Sequence, residues 1–206
     1  MKPSFFKNIL LRLVITLPIS FSGLITLPLL TRLYTQDIYG AWLQIVLIKG
    51  LLVNLLSLRL ETALVRYLLG EKDKKQLIKA VFTVTCGVSL FFIAALYFFQ
   101  DQASRLIFGK QGFAPLLMIS SIWMVINACM LIGLEVLRSQ EKIVALSIRE
   151  VLSALWLIAA AILAYLIHLD IQSLILICIA GDSILLIWIM FQIGVPVPFT
   201  SLLKSI

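Results

Sequence analysis

Residues 171–192 read Ile-Gln-Ser-Leu-Ile-Leu-Ile-Cys-Ile-Ala-Gly-Asp-Ser-Ile-Leu-Leu-Ile-Trp-Ile-Met-Phe-Gln, a run in which Asp182 is the lone charge. An α-helix rises about 1.5 Å per residue, so about 20 mostly apolar residues cover a hydrocarbon core of about 30 Å. The segment is therefore a membrane span. Working outward, further uncharged or nearly uncharged stretches place spans at about Leu10 to Leu30, Ile38 to Leu60, Leu77 to Phe99, Gly112 to Leu134 and Val151 to Ile167. Their connections are short, so consecutive helices are antiparallel neighbours. The expected fold is all-α: a polytopic membrane bundle of about six transmembrane helices, with residues 1–206 forming a single lobe.

Composition agrees. The chain is 62% hydrophobic and 13% charged over 206 residues, and its mean hydropathy is +1.10, whereas soluble domains are roughly a quarter charged. The net charge of +7 would suggest nucleic acid in a soluble protein. Here the lysines and arginines fall in the gaps between apolar runs, which points to anionic lipid head groups and topology, not to nucleic acid. With the N-terminus in the cytoplasm, that side receives Lys2, Lys7, Arg12, Arg66, Lys72, Lys74, Lys75, Lys79, Arg138, Lys142, Arg149 and Lys204. The opposite side receives Arg32, Arg105 and Lys110, and Lys49 and Arg59 fall within the second span. Loop lysines and arginines are retained on the cytoplasmic side during insertion, so both termini are expected there, in a bacterial cytoplasmic membrane.

Patterns of soluble catalysis are absent: there is no glycine-rich phosphate loop, no spaced Cys/His set, and a single histidine, His168. Cys86, Cys129 and Cys178 each lie inside an apolar run and read as packed thiols. No catalytic residue, metal or cofactor is expected. The informative residues are polar ones inside spans, since a charge at the bilayer centre costs at least ~2.5 kcal/mol on insertion scales and usually faces a cavity or a partner.

Arg12, Thr16, Ser20, Gly23 and Thr26 recur every three or four residues, one stripe down the first helix. Two readings stay open: a wet lumen, or close packing through small residues. Pro18 can bend that helix. The second span is polar on several faces, with Gln44, Arg59 and Thr62 on one side, Asn54, Ser57 and Glu61 on another, and Lys49 apart from both. Such a helix lines something wet or pairs with other polar groups. Asp182 either pairs with a buried base such as Lys49 or binds a coupling proton or cation. The aromatics Trp42, Tyr97, Trp123, Tyr165 and Trp188 are assigned no ligand.

The stretches Pro28-Leu29-Leu30-Thr31-Arg32-Leu33-Tyr34-Thr35, Asp37-Ile38-Tyr39-Gly40 and Glu61-Thr62-Ala63-Leu64-Val65-Arg66-Tyr67 together resemble the N-terminal region of bacterial polysaccharide exporters. The resemblance is to the O-antigen (lipopolysaccharide) flippases of the Wzx type, in the multidrug/oligosaccharidyl-lipid/polysaccharide exporter superfamily. It implies one lobe of a two-lobe exporter whose central cavity alternates between membrane faces and moves a polyprenyl-pyrophosphate-linked oligosaccharide outward. It further implies Arg59 as the leading cationic partner of the pyrophosphate, with Lys49 and Arg12 behind it, and Thr16, Ser20, Gly23, Gln44 and Glu61 along the cavity. Asp182 is then the candidate ion-coupling residue.

The stretch Pro196-Val197-Pro198-Phe199-Thr200 near the end echoes Pro3-Ser4-Phe5-Phe6-Lys7 and reads as the approach to another first span. The expectation is an N-terminal lobe from a truncated, split or degenerate gene, whose partners are lipid-linked oligosaccharide, membrane lipids and a second lobe or second copy. Cation-coupled efflux of small molecules and a non-transporting accessory half are the competing readings. A membrane enzyme of the same pathways is disfavoured, because the outer loops are too short to build its site.

Overall fold

The computed structural model of the protein describes residues 21–68, 73–110 and 112–194. Every regular element among them is helical: α1 (Phe21–Leu33), α2 (Gln36–Leu56), α3 (Leu60–Leu68), α4 (Lys74–Phe98), α5 (Gln100–Phe108), α6 (Ala114–Ser139), α7 (Ile143–Ile167) and α8 (Ile171–Ile193). Helices α2, α4, α6, α7 and α8 are each long and apolar enough to cross a membrane. The molecule is a polytopic helical membrane bundle. The first expected span, residues 10–30, lies half outside the described residues, and its described part runs on to Leu33.

Helix α6 is the central post. It packs against α2, α3, α4, α5, α7 and α8, and it buries the largest share of its span. Lipid offers apolar side chains nothing that the bundle interior improves on, so helices associate in membranes through close van der Waals packing and polar contacts. Small residues on α6 and α8 permit that approach: a Cβ at Gly133 would stand 2.7 Å from Ile189 Cγ2. The outward surfaces are apolar, with Phe91, Phe98, Leu106 and Phe191 largely exposed, as suits a lipid-facing surface.

The two ends of the bundle are tied separately. At one end Tyr34 Oη donates to the Leu169 carbonyl at 3.0 Å, and Lys110 pairs with Asp37 at 2.8 Å. The turns after α1, before α6 and between α7 and α8 therefore share that end. At the other end Lys142 Nζ donates to the Gln192 carbonyl at 2.5 Å, and Leu64, Leu68, Ile78 and Phe82 join Val136, Leu137 and Ile193 in one buried cluster.

Three boundaries differ from the hydropathy reading. The second span ends at Leu56 and is followed by Leu58 and Arg59 at φ +51° and +56°, a left-handed break that side chains with a Cβ adopt only at a cost. A single helical face therefore does not run from Gln44 to Arg59 and Thr62. The segment expected to be a loop over Gln100 to Gln111 is largely helix α5, which buries Ser104 and Phe108 and closes on Gly109 at φ +67°. Helix α7 begins at Ile143, not Val151, so Arg149 and Glu150 belong to the span. Charge had marked that stretch as loop, but the long Arg149 side chain is turned inward instead.

Candidate functional site

Four helices present side chains at intervals of three or four residues to one half-open cavity: Trp42, Val46 and Lys49 from α2, Trp123 and Asn127 from α6, Arg149, Ser153 and Trp156 from α7, and Cys178 and Asp182 from α8. That spacing is one face of each helix. The cavity holds about 230 Å³, and Asp182 lies midway along α8, at the depth where an ionised group is costliest in lipid.

Trp123 organises the site. Its indole N–H donates to Asp182 Oδ2 at 2.7 Å, its ring stacks on Trp42 with centroids 5.7 Å apart, and the Lys49 ammonium lies over the same ring at 3.6 Å from its centroid. A cation over an indole face is attracted by the ring quadrupole, worth about 2 kcal/mol once desolvated. Asn127 Nδ2 donates to the same Asp182 oxygen at 2.9 Å, and also to the Trp123 carbonyl at 3.0 Å. The carboxylate is thus held by two neutral donors on α6.

Arg149 completes the cluster from α7. One of its terminal nitrogens meets the Met130 sulfur at 2.6 Å, a weak acceptor, and its buried Nε has no hydrogen-bond partner. No ion pair joins Lys49 to Asp182 among the described residues; Lys49 meets the face of the Trp123 indole and Asp182 its N–H edge. The cavity lining thus holds two basic side chains, Lys49 and Arg149, and one acidic one, Asp182.

The sequence-predicted residues divide. Lys49 and Asp182 come together as cavity walls. Gln44 lies half-buried on α2, and Arg59 is exposed in the left-handed break. Glu61 is buried on α3, with one carboxylate oxygen lacking a hydrogen-bond partner. Gly23 is exposed on α1, whereas Thr26, from the same stripe, is buried and donates to the Ser22 carbonyl at 2.9 Å. Arg12, Thr16 and Ser20 lie outside the described residues. Arg149, Asn127 and Trp123 were missed. Arg149 was assigned to a loop by its charge, and the other two carry no signal until Asp182 is seen to face them. The i, i+4 pair Trp123 and Asn127, polar edges on an otherwise apolar run, is the trace that could have flagged them.

No curated protein and no solved structure matches the chain. A family described as polysaccharide biosynthesis protein matches residues 29–204, which takes in every wall of the cavity. The chain belongs to this polysaccharide biosynthesis protein family.

Proposed function

We propose that this protein is a membrane transporter, or one lobe of one, that translocates a polyprenyl-pyrophosphate-linked oligosaccharide across the cytoplasmic membrane, and that it is not an enzyme. The observation that carries the reading is the surplus of basic side chains in one cavity of the membrane-spanning bundle: Lys49 and Arg149 line it with Asp182 as its single carboxylate. Such a surplus is expensive in lipid unless an anion uses it. A pyrophosphate supplies the complementary charge and the acceptor oxygens that a guanidinium fork recognises. Family membership in polysaccharide biosynthesis supports a saccharide as the rest of the cargo. Arg59, exposed beside the α2–α3 break, and Arg12 are the further cations of this reading, suited to the approach of the headgroup. The other partners are membrane lipids and a second lobe or second copy.

The test is translocation of a labelled polyprenyl-pyrophosphate oligosaccharide in proteoliposomes, with any partner lobe present. Lys49→Gln and Arg149→Gln should each reduce the rate about tenfold to a hundredfold, the equivalent of one charge-assisted contact of roughly 1.5–3 kcal/mol. Arg149→Lys should recover part of the loss. Unchanged rates at equal membrane abundance refute the reading.

A further inference from the structure

The sequence reads the three cysteines as separate packed thiols, but the structure brings two of them together. Cys86 lies midway along α4 and Cys129 in the middle third of α6. The Cys129 thiol donates a hydrogen bond to the Cys86 sulfur. Cys178, in contrast, belongs to a different buried cluster and lines the Lys49 cavity.

The packing of the two helices requires the same meeting. Near the start of α4, Ile78 and Phe82 share a buried cluster with Ile132 and Val136 of α6, and Cys129 belongs to it with Cys86 packed against it. Further along α4, Phe92 packs with Met124, which comes earlier in α6. The helices therefore run antiparallel. Pairing Ile78 with Val136 and Phe82 with Ile132 sets Cys86 opposite Cys129 at the next turn. The two sulfurs differ in access: Cys129 is 7% exposed, whereas Cys86 is half-buried beside Val84, Gly87 and Leu90, which are exposed. In a membrane bundle that apolar surface of α4 faces lipid, so reagents dissolved in the bilayer reach Cys86 first.

We propose that Cys86 and Cys129 form a redox modification site, at which a membrane-soluble hydroperoxide converts the two thiols to a disulfide that staples α4 to the central helix α6. In the first step the Cys86 sulfur attacks the terminal peroxide oxygen. The O–O bond breaks, the alkoxide leaves with the Cys86 proton as an alcohol, and Cys86 becomes a sulfenic acid. The Cys129 sulfur then attacks the Cys86 sulfur: the S–S bond forms, the S–O bond breaks, and the hydroxyl leaves with the Cys129 proton as water. Two electrons pass from the thiols to the hydroperoxide, and no other reactant is consumed. The hydrogen bond that Cys129 donates supports negative charge on the Cys86 sulfur, and the thiolate is the nucleophilic form. Two sulfurs already in hydrogen-bond contact across packed helices satisfy the close approach that a disulfide demands. The site stands apart from the Lys49 cavity and does not depend on what that cavity carries.

The experiment treats the purified full chain, in lipid vesicles, with cumene hydroperoxide, then denatures it and alkylates the remaining thiols. Labelled cysteines should fall from three to one, Cys178, and a reductant should restore all three. Peptide mass spectrometry without reductant should find Cys86 joined to Cys129. Cys129→Ser should stop the reaction at a sulfenic acid on Cys86, trapped by dimedone, and Cys86→Ser should leave Cys129 labelled. Cys178→Ala should still cross-link, which keeps the test decisive if either of the other variants fails to accumulate. Three labelled cysteines after oxidation overturn the proposal. A link through Cys178 or between two chains, or a wild-type Cys86 oxidised without a link to Cys129, overturns it equally.

Discussion

The Asp182 carboxylate on α8 accepts the indole N–H of Trp123 on α6 at 2.7 Å, so the most extensively packed helix pair of the bundle is also joined by a part-buried polar contact. The same oxygen takes the Asn127 amide at 2.9 Å. Removing the acceptor leaves the Trp123 N–H without its partner and Asn127 with the Trp123 carbonyl alone. Asp182→Ala should therefore lower stability by about 1–3 kcal/mol, the usual consequence of leaving a donor without its acceptor. Asp182→Asn, which keeps an acceptor oxygen, should cost less. Thermal unfolding in detergent and the yield of folded protein from membranes report the difference.

Gly181, next to Asp182, faces the Trp156 indole so closely that an added Cβ would overlap the ring. That indole donates to the Ile177 carbonyl at 2.9 Å and walls the cavity. Gly181→Ala must push Trp156 aside, at an overpacking cost of about 1–3 kcal/mol. The change should be visible as altered tryptophan fluorescence together with a lower melting temperature. Gly133→Ala meets the end of the Ile189 side chain instead, which can rotate away, and should be milder.

Arg59 has φ +56°, so its backbone and its charge can be separated by substitution. Arg59→Gly relieves a strain of about 1–2 kcal/mol, whereas Arg59→Val deepens it, because a β-branched side chain disfavours the left-handed region. Melting temperature should rank Gly at or above wild type and Val below. If Arg59 also attracts the anionic headgroup, Arg59→Gly should slow translocation at undiminished abundance, a combination that a purely structural role does not produce.

Tyr34 is held at the α7–α8 end by its bond to the Leu169 carbonyl. Burial first, and the nearby Asp170 charge second, push its phenol from 10.0 up to about 12. A raised folded-state value means the contribution to stability is complete below pH 10 and is lost as pH rises through about 12. Tyr34→Phe should cost about 0.5–1.5 kcal/mol at neutral pH and should flatten the alkaline fall in melting temperature between those two values.

The sharing of ends between connections predicts sidedness. Reporter fusions at Lys110 should read on one side of the membrane, and those after Lys75 and at Lys142 on the other. From the clustering of lysine and arginine, the Lys75 and Lys142 side is expected to be the cytoplasmic one. Fusions reading Lys110 as cytoplasmic would reverse the orientation, and fusions placing Lys75 and Lys142 on different sides would contradict the helix pairing itself.

Helical class, the approximate spans and the depth of Asp182 were legible in the amino-acid order, because a bilayer permits few solutions: a long apolar run must be a helix, and a charge inside it must be compensated. Lys49 and Asp182 were visible for the same reason. What residue order could not supply was how each helix is rotated about its axis. Arg149 counted as a loop charge until α7 was seen to start at Ile143 and to turn that side chain toward Met130 and Asp182. Trp123 had no assigned ligand until its N–H and its ring face were found with separate partners. The break at Leu58 and Arg59 was equally hidden, since neither residue signals a left-handed turn. Hydropathy records only how much a segment prefers lipid to water. Which polar groups meet is decided by packing across α2, α6, α7 and α8, where each buried donor must find its acceptor in three dimensions.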